Sequence, residues 1–279
     1  MIPRRAAIAR SAAAVLAIGS RPSLSQPPAH ASPGSGRKKG LGQSIKHQAW
    51  SSRVRDLRCG WFYSWGPAVP DDVPADVEFI PMIYRHGGDA SAIASAVAGA
   101  KKAGIGELLG FNEPDVAKQG NMSVAEAIDA WPALMATGMR LGSPSCGHPD
   151  REWMIEFMSE VEKRSLRVDF VCVHSYGGPS PESLVSRLEK VHRLFRRPVW
   201  ITEFAVGDWE AKSVEQNRHS SETVLRFMER VLPMLERLDF LERYAWFPAK
   251  PTSVPLGTSA LFDAEGNLTR LGECYRDLA

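Results

Sequence analysis

From Leu57 onward the chain alternates short, nearly unbroken apolar runs with longer stretches whose apolar residues recur every three to four positions. The short runs are "LRCGWFYSW" (57–65), "VEFIPMIYR" (77–85), "IGELLGFN" (105–112), "MRLGSPSCG" (139–147), "VDFVCVHSY" (168–176), "RPVWITEFAVG" (197–207), "LERYAWFPA" (241–249) and "SALFDAEG" (259–266). Apolar continuity over so short a length predicts strands buried on both faces. The segments between them read as helices. Asp89 caps an alanine-rich helix through Gly99 and Ala103, with Gly87-Gly88 breaking the strand before it. Ser123-Val-Ala-Glu126 is a capping box opening a helix through Ile128, Trp131 and Leu134. Further helices run around Trp153, Phe157 and Val161, then from Ser183 to Phe195, with Leu184, Leu188, Val191 and Phe195 on one stripe. Another starts near Ser221 and carries Val224, Phe227, Val231 and Leu235, and a last one contains Leu271 and Tyr275.

Strand and helix alternating throughout predict an α/β fold with a parallel sheet covered on both sides. Eight strands in about 220 residues fit a (β/α)8 TIM-type barrel, whose regularity the pattern leaves open. A doubly wound open sheet is the alternative; it would want a glycine-rich first strand-to-helix turn, and "SWGPAVP" is not one. The barrel is expected to occupy 55–279.

The first 54 residues read differently. Paired arginines at Arg4 and Arg5 precede a small-residue apolar run, and Ala29-His30-Ala31 matches a signal-peptidase site. Residues 1–31 are therefore expected to be a signal peptide, of the general or twin-arginine kind, and 32–54 a flexible linker; a low-complexity tail without an export role is the other reading. Secretion or display at the cell surface follows from the first. Gly34, Gly36 and Gly40 make no phosphate-cradling loop in this reading, because no strand precedes them.

Composition narrows the chemistry. With 34 Lys and Arg against 32 Asp and Glu, the net charge is +2, too small an excess for nucleic acid as the main partner. The apolar run at 11–20 is too short to span a bilayer. Four cysteines lie far apart with no C-x-x-C pair, which speaks against zinc; Cys59 and Cys172 fall inside apolar runs as buried thiols would, a disulfide being the other reading. No cofactor is expected, and a monomer is the default. Eight Trp, 11 Phe and five Tyr give ring faces for core packing or for sugars.

In a parallel barrel the C-terminal ends of the strands meet at one mouth, where active sites lie. Reading those ends collects Tyr63, Ser64 and Trp65; Tyr84, Arg85 and His86; Asn112 and Glu113; Ser143, Ser145 and Cys146; His174 and Tyr176; Thr202 and Glu203; Trp246 and Phe247. Glu113 and Glu203 each follow a hydrophobic run, on strands three apart, and so face each other across the ring. Two opposed carboxylates are what glycoside hydrolysis requires, one protonated to release the leaving oxygen and one ionised. His174 and Tyr176 could orient a carboxylate, and Trp61, Trp65, Trp246 and Tyr84 could stack on a pyranose. A glutamate after a strand is equally the start of an ordinary loop, and His174 could be a core histidine. Strand alternation puts Trp61, Tyr63 and Trp65 on one face, with Phe62 and Ser64 on the other. Trp50, Trp131 and Trp153 lie away from strand ends and read as packing residues.

The segments "FIPMIY" (79–84), "GFNEPD" (110–115), "LGSPS" (141–145), "VHSYG" (173–177), "WITEF" (200–204) and "RYAWF" (243–247) together resemble the catalytic core of glycoside hydrolase family 128, retaining β-1,3-glucanases of a (β/α)8 clan. The resemblance spans roughly 55–279. It implies Glu113 as general acid/base, Glu203 as nucleophile, Asn112 on the sugar 2-hydroxyl, Tyr176 beside the nucleophile, and Trp246 near the reacting sugar. It also implies a β-glucan polysaccharide or oligosaccharide as substrate and no metal. Two departures stand out. Ser175 occupies a position that is often aromatic in the family, and the clan carries its glutamates on strands four and seven, whereas the runs above give three and six. A β-glucan-binding surface protein without turnover, and a retaining glycosidase acting on β-1,4-mannan or β-1,4-glucan, are the alternatives.

Overall fold

The computed structural model describes residues 38–85 and 90–278. The expected signal peptide at 1–31, His86, the glycine pair at 87–88 and the Asp89 cap lie outside the described residues. Eight parallel strands make up the described core. They are β1 (Lys39–Gly42), β2 (Trp61–Tyr63), β3 (Glu78–Phe79), β4 (Glu107–Leu108), β5 (Arg140–Leu141), β6 (Val171–Gly177), β7 (Val199–Val206) and β8 (Leu241–Trp246). Six pair continuously in the order β3-β2-β1-β8-β7-β6, and β4 pairs with β5. Isolated parallel bridges supply the two remaining seams: Met82 with Leu109 beyond β3 and β4, and Gly142 with Phe170 and Cys146 with Val173 between the β5 and β6 edges. The ring therefore runs through all eight strands in chain order, the α/β barrel that the hydrophobic pattern implied.

Among the described residues eight α-helices surround it: α1 (Trp50–Asp56), α2 (Ala90–Ala96), α3 (Ala98–Lys102), α4 (Val124–Met135), α5 (Glu152–Lys163), α6 (Pro181–Phe195), α7 (Ser221–Glu236) and α8 (Arg270–Asp277). Ser123 and Glu126 form the expected reciprocal capping box on α4. The alanine-rich helix is two pieces, α2 and α3, divided at Val97, which is the non-helical N-cap of α3.

Two strand assignments change, and they offset each other. The segment 259–266 is not a barrel strand; it follows a short 3-10 turn at Gly257–Ser259 and makes one antiparallel bridge, from Phe262 to Leu268. The first strand is β1, inside the stretch read as a linker. It pairs with β2 on one side and β8 on the other, so 39–54 belongs to the barrel together with the start of α1. Its tetrapeptide Lys-Gly-Leu-Gly has almost no strand signature, because its stabilisation comes from neighbours. Lys39 is fully buried and its Nζ donates to the carbonyls of Tyr275 (2.7 Å) and Arg276 (2.9 Å), tying the first strand to the end of the last helix. Gly40 leaves room for the Trp61 indole, which a Cβ there would approach to 2.2 Å. With β1 included, Glu113 follows the fourth strand and Glu203 lies in the seventh.

Apolar side chains divide into two populations. The outer one, between sheet and helices, includes Phe62, Phe204, Trp131, Tyr244 and Trp246. The inner one fills the barrel with Trp61, Tyr63, Met82, Leu109, Phe170, Cys172 and Trp200, with Trp65 packed on top. Trp61, Tyr63 and Trp65 thus share the inner face and Phe62 the outer, as alternation requires. Phe170 stacks on Trp200 at 4.1 Å, and the Arg243 guanidinium lies 4.5 Å from the Trp200 ring. Glu242 accepts from the Trp200 indole (2.7 Å) and from Arg140 (2.8 Å). These layers plug the barrel floor, so a ligand has access only from the other end. Cys59, Cys146 and Cys172 are buried and Cys274 is half-buried, and no disulfide joins them.

Gly40→Ala is expected to destabilise the protein by about 1–3 kcal/mol through overpacking against Trp61. Chemical denaturation reads this. In a flexible linker the same change would be neutral or mildly stabilising.

Candidate active site

The chain places its glutamates at the mouth by two local departures from regular backbone. Along β7, Trp200 faces inward and Ile201 outward, so strict alternation would turn Glu203 out into the helix layer. The pairing with β6 steps from Val173–Ile201 to His174–Glu203, skipping Thr202. This bulge takes up one residue and returns Glu203 to the inner face. Thr202 is anchored by its hydroxyl to Ser145 Oγ at 3.3 Å. After β4, Glu113 has φ +39°, a left-handed conformation that costs a non-glycine residue. Its N–H donates to Ser145 O at 2.9 Å, and Pro114 follows with no N–H to extend the ladder.

The loop beyond is held from two sides. Gly120 passes so close to Asn112 that a Cβ would meet the Asn112 carbonyl oxygen at 2.1 Å. The Asp115 carboxylate accepts the backbone N–H groups of Gly147 and His148, both at 2.9 Å, which locks the loop after β4 to the loop after β5.

Glu203 is 4% exposed and receives a shell of donors. Tyr63 Oη–H and Trp65 Nε1–H donate to Oε1 at 2.7 Å each, and the Tyr176 hydroxyl donates to Oε2. Burial, and then the Glu203 charge, push both phenols well above their ordinary value, so they remain donors. His174, fully buried, stands between the two carboxylates. Its Nδ1 lies 2.9 Å from Glu113 Oε1 and its Nε2 3.5 Å from Glu203 Oε1. Burial disfavours the imidazolium, yet the Glu203 charge and the hydrogen bond and charge of Glu113 outweigh it, and the net shift from 6.5 is upward. Asn112 is 4% exposed, with no protein hydrogen bond to its Oδ1.

One ligand atom each from Glu113, His174 and Glu203 lies within 4.8 Å of the others, a spacing a metal ion could span. The donor set fits that use poorly. Glu203 Oε1, the oxygen nearest His174, already accepts from Tyr63 and Trp65, which engages both of its lone pairs. The arrangement suits two carboxylates working directly on a bound molecule.

Of the residues singled out from sequence, Glu113, Glu203, Asn112, His174, Tyr176, Tyr63 and Trp65 come together here. Tyr84 lies at the rim, its backbone oxygen accepting from Asn112 N–H and its hydroxyl donating to Gln119 at 2.7 Å. Trp246 does not reach the mouth. It is fully buried outside the ring against Phe204 and Tyr275, with Nε1 donating to Ser259 O. Trp61 lies in the barrel floor rather than at the mouth. Because Ala245 faces inward and Trp246 outward, the next inward position is Phe247, and its ring meets Trp65 at 6.0 Å and Tyr176 at 5.5 Å. Phe247 and Asp115 were available in the strand-end list and the "NEPD" segment, but nothing local marked which of Trp246 and Phe247 faces in.

Two carboxylates with one oxygen each within 4.8 Å at the mouth of a parallel barrel form the kind of pair on which glycoside hydrolysis depends. A family model described as glycosyl hydrolase catalytic core matches residues 40–275. The chain belongs to this family, in its glycoside hydrolase family 128 branch. It is similar to a subgroup I endo-β-1,3-glucanase from Amycolatopsis mediterranei, solved with laminaritriose: 35% identity, TM-score 0.75, covering 87% of this chain and 99% of that one. A subgroup II endo-β-1,3-glucanase from Sorangium cellulosum shares the fold at 24% identity and TM-score 0.71, over 87% and 99% of the two chains. Alkali-sensitive linkage protein 1 of Schizosaccharomyces pombe is 28% identical over 226 residues, which cover 77% of this chain and 39% of that protein. The chain thus spans about two-fifths of the length of that curated relative.

Because His174 is shifted upward, its protonation contributes stability that is fully present below pH 6.5 and is lost as pH rises through the raised value. The melting-temperature gap between the parent and His174→Gln is therefore expected to be widest below pH 6.5 and to narrow at alkaline pH. A gap independent of pH would contradict this assignment.

Proposed function

We propose that this protein is a retaining endo-β-1,3-glucanase that cleaves β-1,3-glucan by double displacement. The observation that carries the reading is the pairing of Glu113 and Glu203 through His174, with three further donors directed at Glu203. Support for the substrate comes from the Amycolatopsis enzyme, which has also been solved with laminarihexaose in a glutamate-to-glutamine variant.

In the first step Glu203 attacks the anomeric carbon while Glu113 gives its proton to the departing glycosidic oxygen. The C–O bond to the leaving sugar breaks as the ester bond to Glu203 forms. In the second step water attacks the same carbon, Glu113 takes the water's proton, and Glu203 leaves as a carboxylate. Tyr63, Trp65 and Tyr176 hold Glu203 in one orientation, so little reorganisation is needed when its charge is consumed and restored. His174, 2.9 Å from Glu113, holds that carboxyl toward the leaving oxygen. Asn112, beside Glu113, is the side chain assigned to the 2-hydroxyl.

Export is part of the proposal. Its support is the arginine pair, the apolar run and the Ala29-His30-Ala31 site in residues 1–31, which would deliver the enzyme to extracellular or wall glucan. No described helix is long and apolar enough to cross a membrane. A monomer suffices, since each residue assigned to the site comes from one chain. The alternative of a non-hydrolytic glucan binder has a fold precedent in an oligosaccharide-binding protein from Trichoderma gamsii, at 17% identity, but no feature of this site favours it.

Glu113→Gln and Glu203→Gln are each expected to lower laminarin hydrolysis by about 10²–10⁴-fold or more with the fold intact, read by reducing-sugar assay and circular dichroism. Proton NMR of the first products should show the β-anomer appearing before mutarotation. Initial release of the α-anomer would refute the retaining mechanism.

A further inference from the structure

Five aromatic rings line the mouth in unbroken succession. Tyr63 meets Trp65 at 5.1 Å between centroids, Trp65 meets Phe247 at 6.0 Å, Phe247 meets Tyr176 at 5.5 Å, and Tyr176 meets Trp209 at 6.0 Å. The wall starts at Glu203, which three of these rings hydrogen-bond, and it leads outward. Its last member, Trp209, lies in the loop after β7 and is 63% exposed. Among the described residues it is the one aromatic side chain in the group of exposed large hydrophobics.

An indole presents one of the largest apolar surfaces a side chain has, and leaving it in water forgoes the gain of burying it. Trp209 is nevertheless held in place. Its Nε1 approaches Tyr176 O at 3.4 Å and it meets the Tyr176 ring edge-on, at 86°. Its neighbour Asp208 is 3% exposed. The Asp208 carboxylate accepts from Arg218 Nη2 at 2.8 Å, Arg218 N–H at 3.0 Å and Glu210 N–H at 3.2 Å, and its own N–H donates to Pro255 O at 2.9 Å. The loop is thus braced on both sides of Trp209. A fixed, flat, exposed ring at the end of an aromatic wall has the form of a binding platform, because binding to it requires little ordering of the loop.

We propose that Trp209 forms an outer sugar-binding subsite, stacking on the C–H face of a hexopyranose at least one unit removed from the bond cleaved between Glu113 and Glu203. This rests on the reading of the protein as a β-glucan hydrolase and adds the length of chain it grips. The wall from Trp65 to Trp209 gives the oligosaccharide its path, and Phe247 and Tyr176 provide the surface between reacting and outer units. The enzyme then draws binding energy from sugars beyond the reacting pair and favours longer oligosaccharides over short ones.

The test compares the parent with Trp209→Ala and Trp209→Phe on laminarihexaose and on the shortest laminarioligosaccharide the parent cleaves. Trp209→Ala is expected to lower kcat/KM for laminarihexaose about tenfold, equivalent to about 1.4 kcal/mol, mainly through KM. The loss on the short substrate should be less than twofold, and Trp209→Phe should recover most of the hexaose activity. Equal losses on both substrates would mean that Trp209 only buttresses Tyr176, and no loss on either would mean that it binds no sugar; both overturn the proposal. Calorimetric binding of laminarihexaose to Glu113→Gln, with and without Trp209→Ala, gives a readout independent of turnover, with about tenfold weaker binding expected. If the parent cleaves neither oligosaccharide, the hydrolase reading fails, while this binding comparison still decides the subsite.

Discussion

The constraint on which the rest of the molecule depends is the burial of Glu203. A carboxylate 4% exposed, with a second one near it, is costly unless charge and hydrogen bonds replace the water it has lost. Tyr63, Trp65 and Tyr176 replace that water, and the His174 ring stands between the carboxylates, whose charges favour its protonation. These groups come from β2, its following turn, β6 and β7, with Glu113 added from the end of β4. Only a ring that brings those strands round to one opening can assemble them. Closure of the barrel is therefore a condition of the chemistry as well as of the fold. The Lys39 contact that ties β1 to α8 contributes to the site without touching it.

Both catalytic candidates sit where the backbone leaves its easiest path. Glu203 depends on a bulge at Thr202, and Glu113 on a left-handed φ. A non-glycine residue held at the φ of Glu113 costs on the order of 1–3 kcal/mol and persists where surrounding structure over-determines it. Here the over-determination is visible. Ser145 accepts the Glu113 N–H through its carbonyl and meets the Thr202 hydroxyl through its side chain, so one residue of the loop after β5 steadies both glutamates. Asp115 and Gly120 then fix the loop after β4 against its neighbour and against Asn112. The segment "NEPD" works as a unit: two candidate site side chains, a stop, and a clamp.

The barrel is graded along its axis. Trp200, Phe170, Trp61 and Arg243 fill the floor, Tyr63 and Cys172 lie above, and the carboxylates lie at the mouth with the aromatic wall rising beside them. Water and ligand thus meet the glutamates from one side only. A structure of the same fold, at 17% identity and TM-score 0.64, belongs to an oligosaccharide-binding protein. Function resides in which side chains the mouth presents.

Much of this was legible in the residues themselves. Apolar runs separated by amphipathic stretches determine strand and helix, because burial on two faces and burial on one stripe leave different periods in a sequence. Glutamates at the ends of two such runs, three strands apart, determined the pair. Tertiary structure decided what depends on partners distant in the chain. "KGLG" is a strand because β2 and β8 flank it and α8 caps its lysine, while "SALFDAEG" lacks such a place in the ring. Trp246 and Phe247 are adjacent aromatics at one strand end, and only the register of β8 turns the first into the helix layer and the second toward the mouth. Glu203 faces inward because Thr202 is skipped in the pairing with β6, a choice made between two strands and carried by neither alone. Local pattern settles which residues want burial; the ring, through pairing and register, settles which face each of them meets.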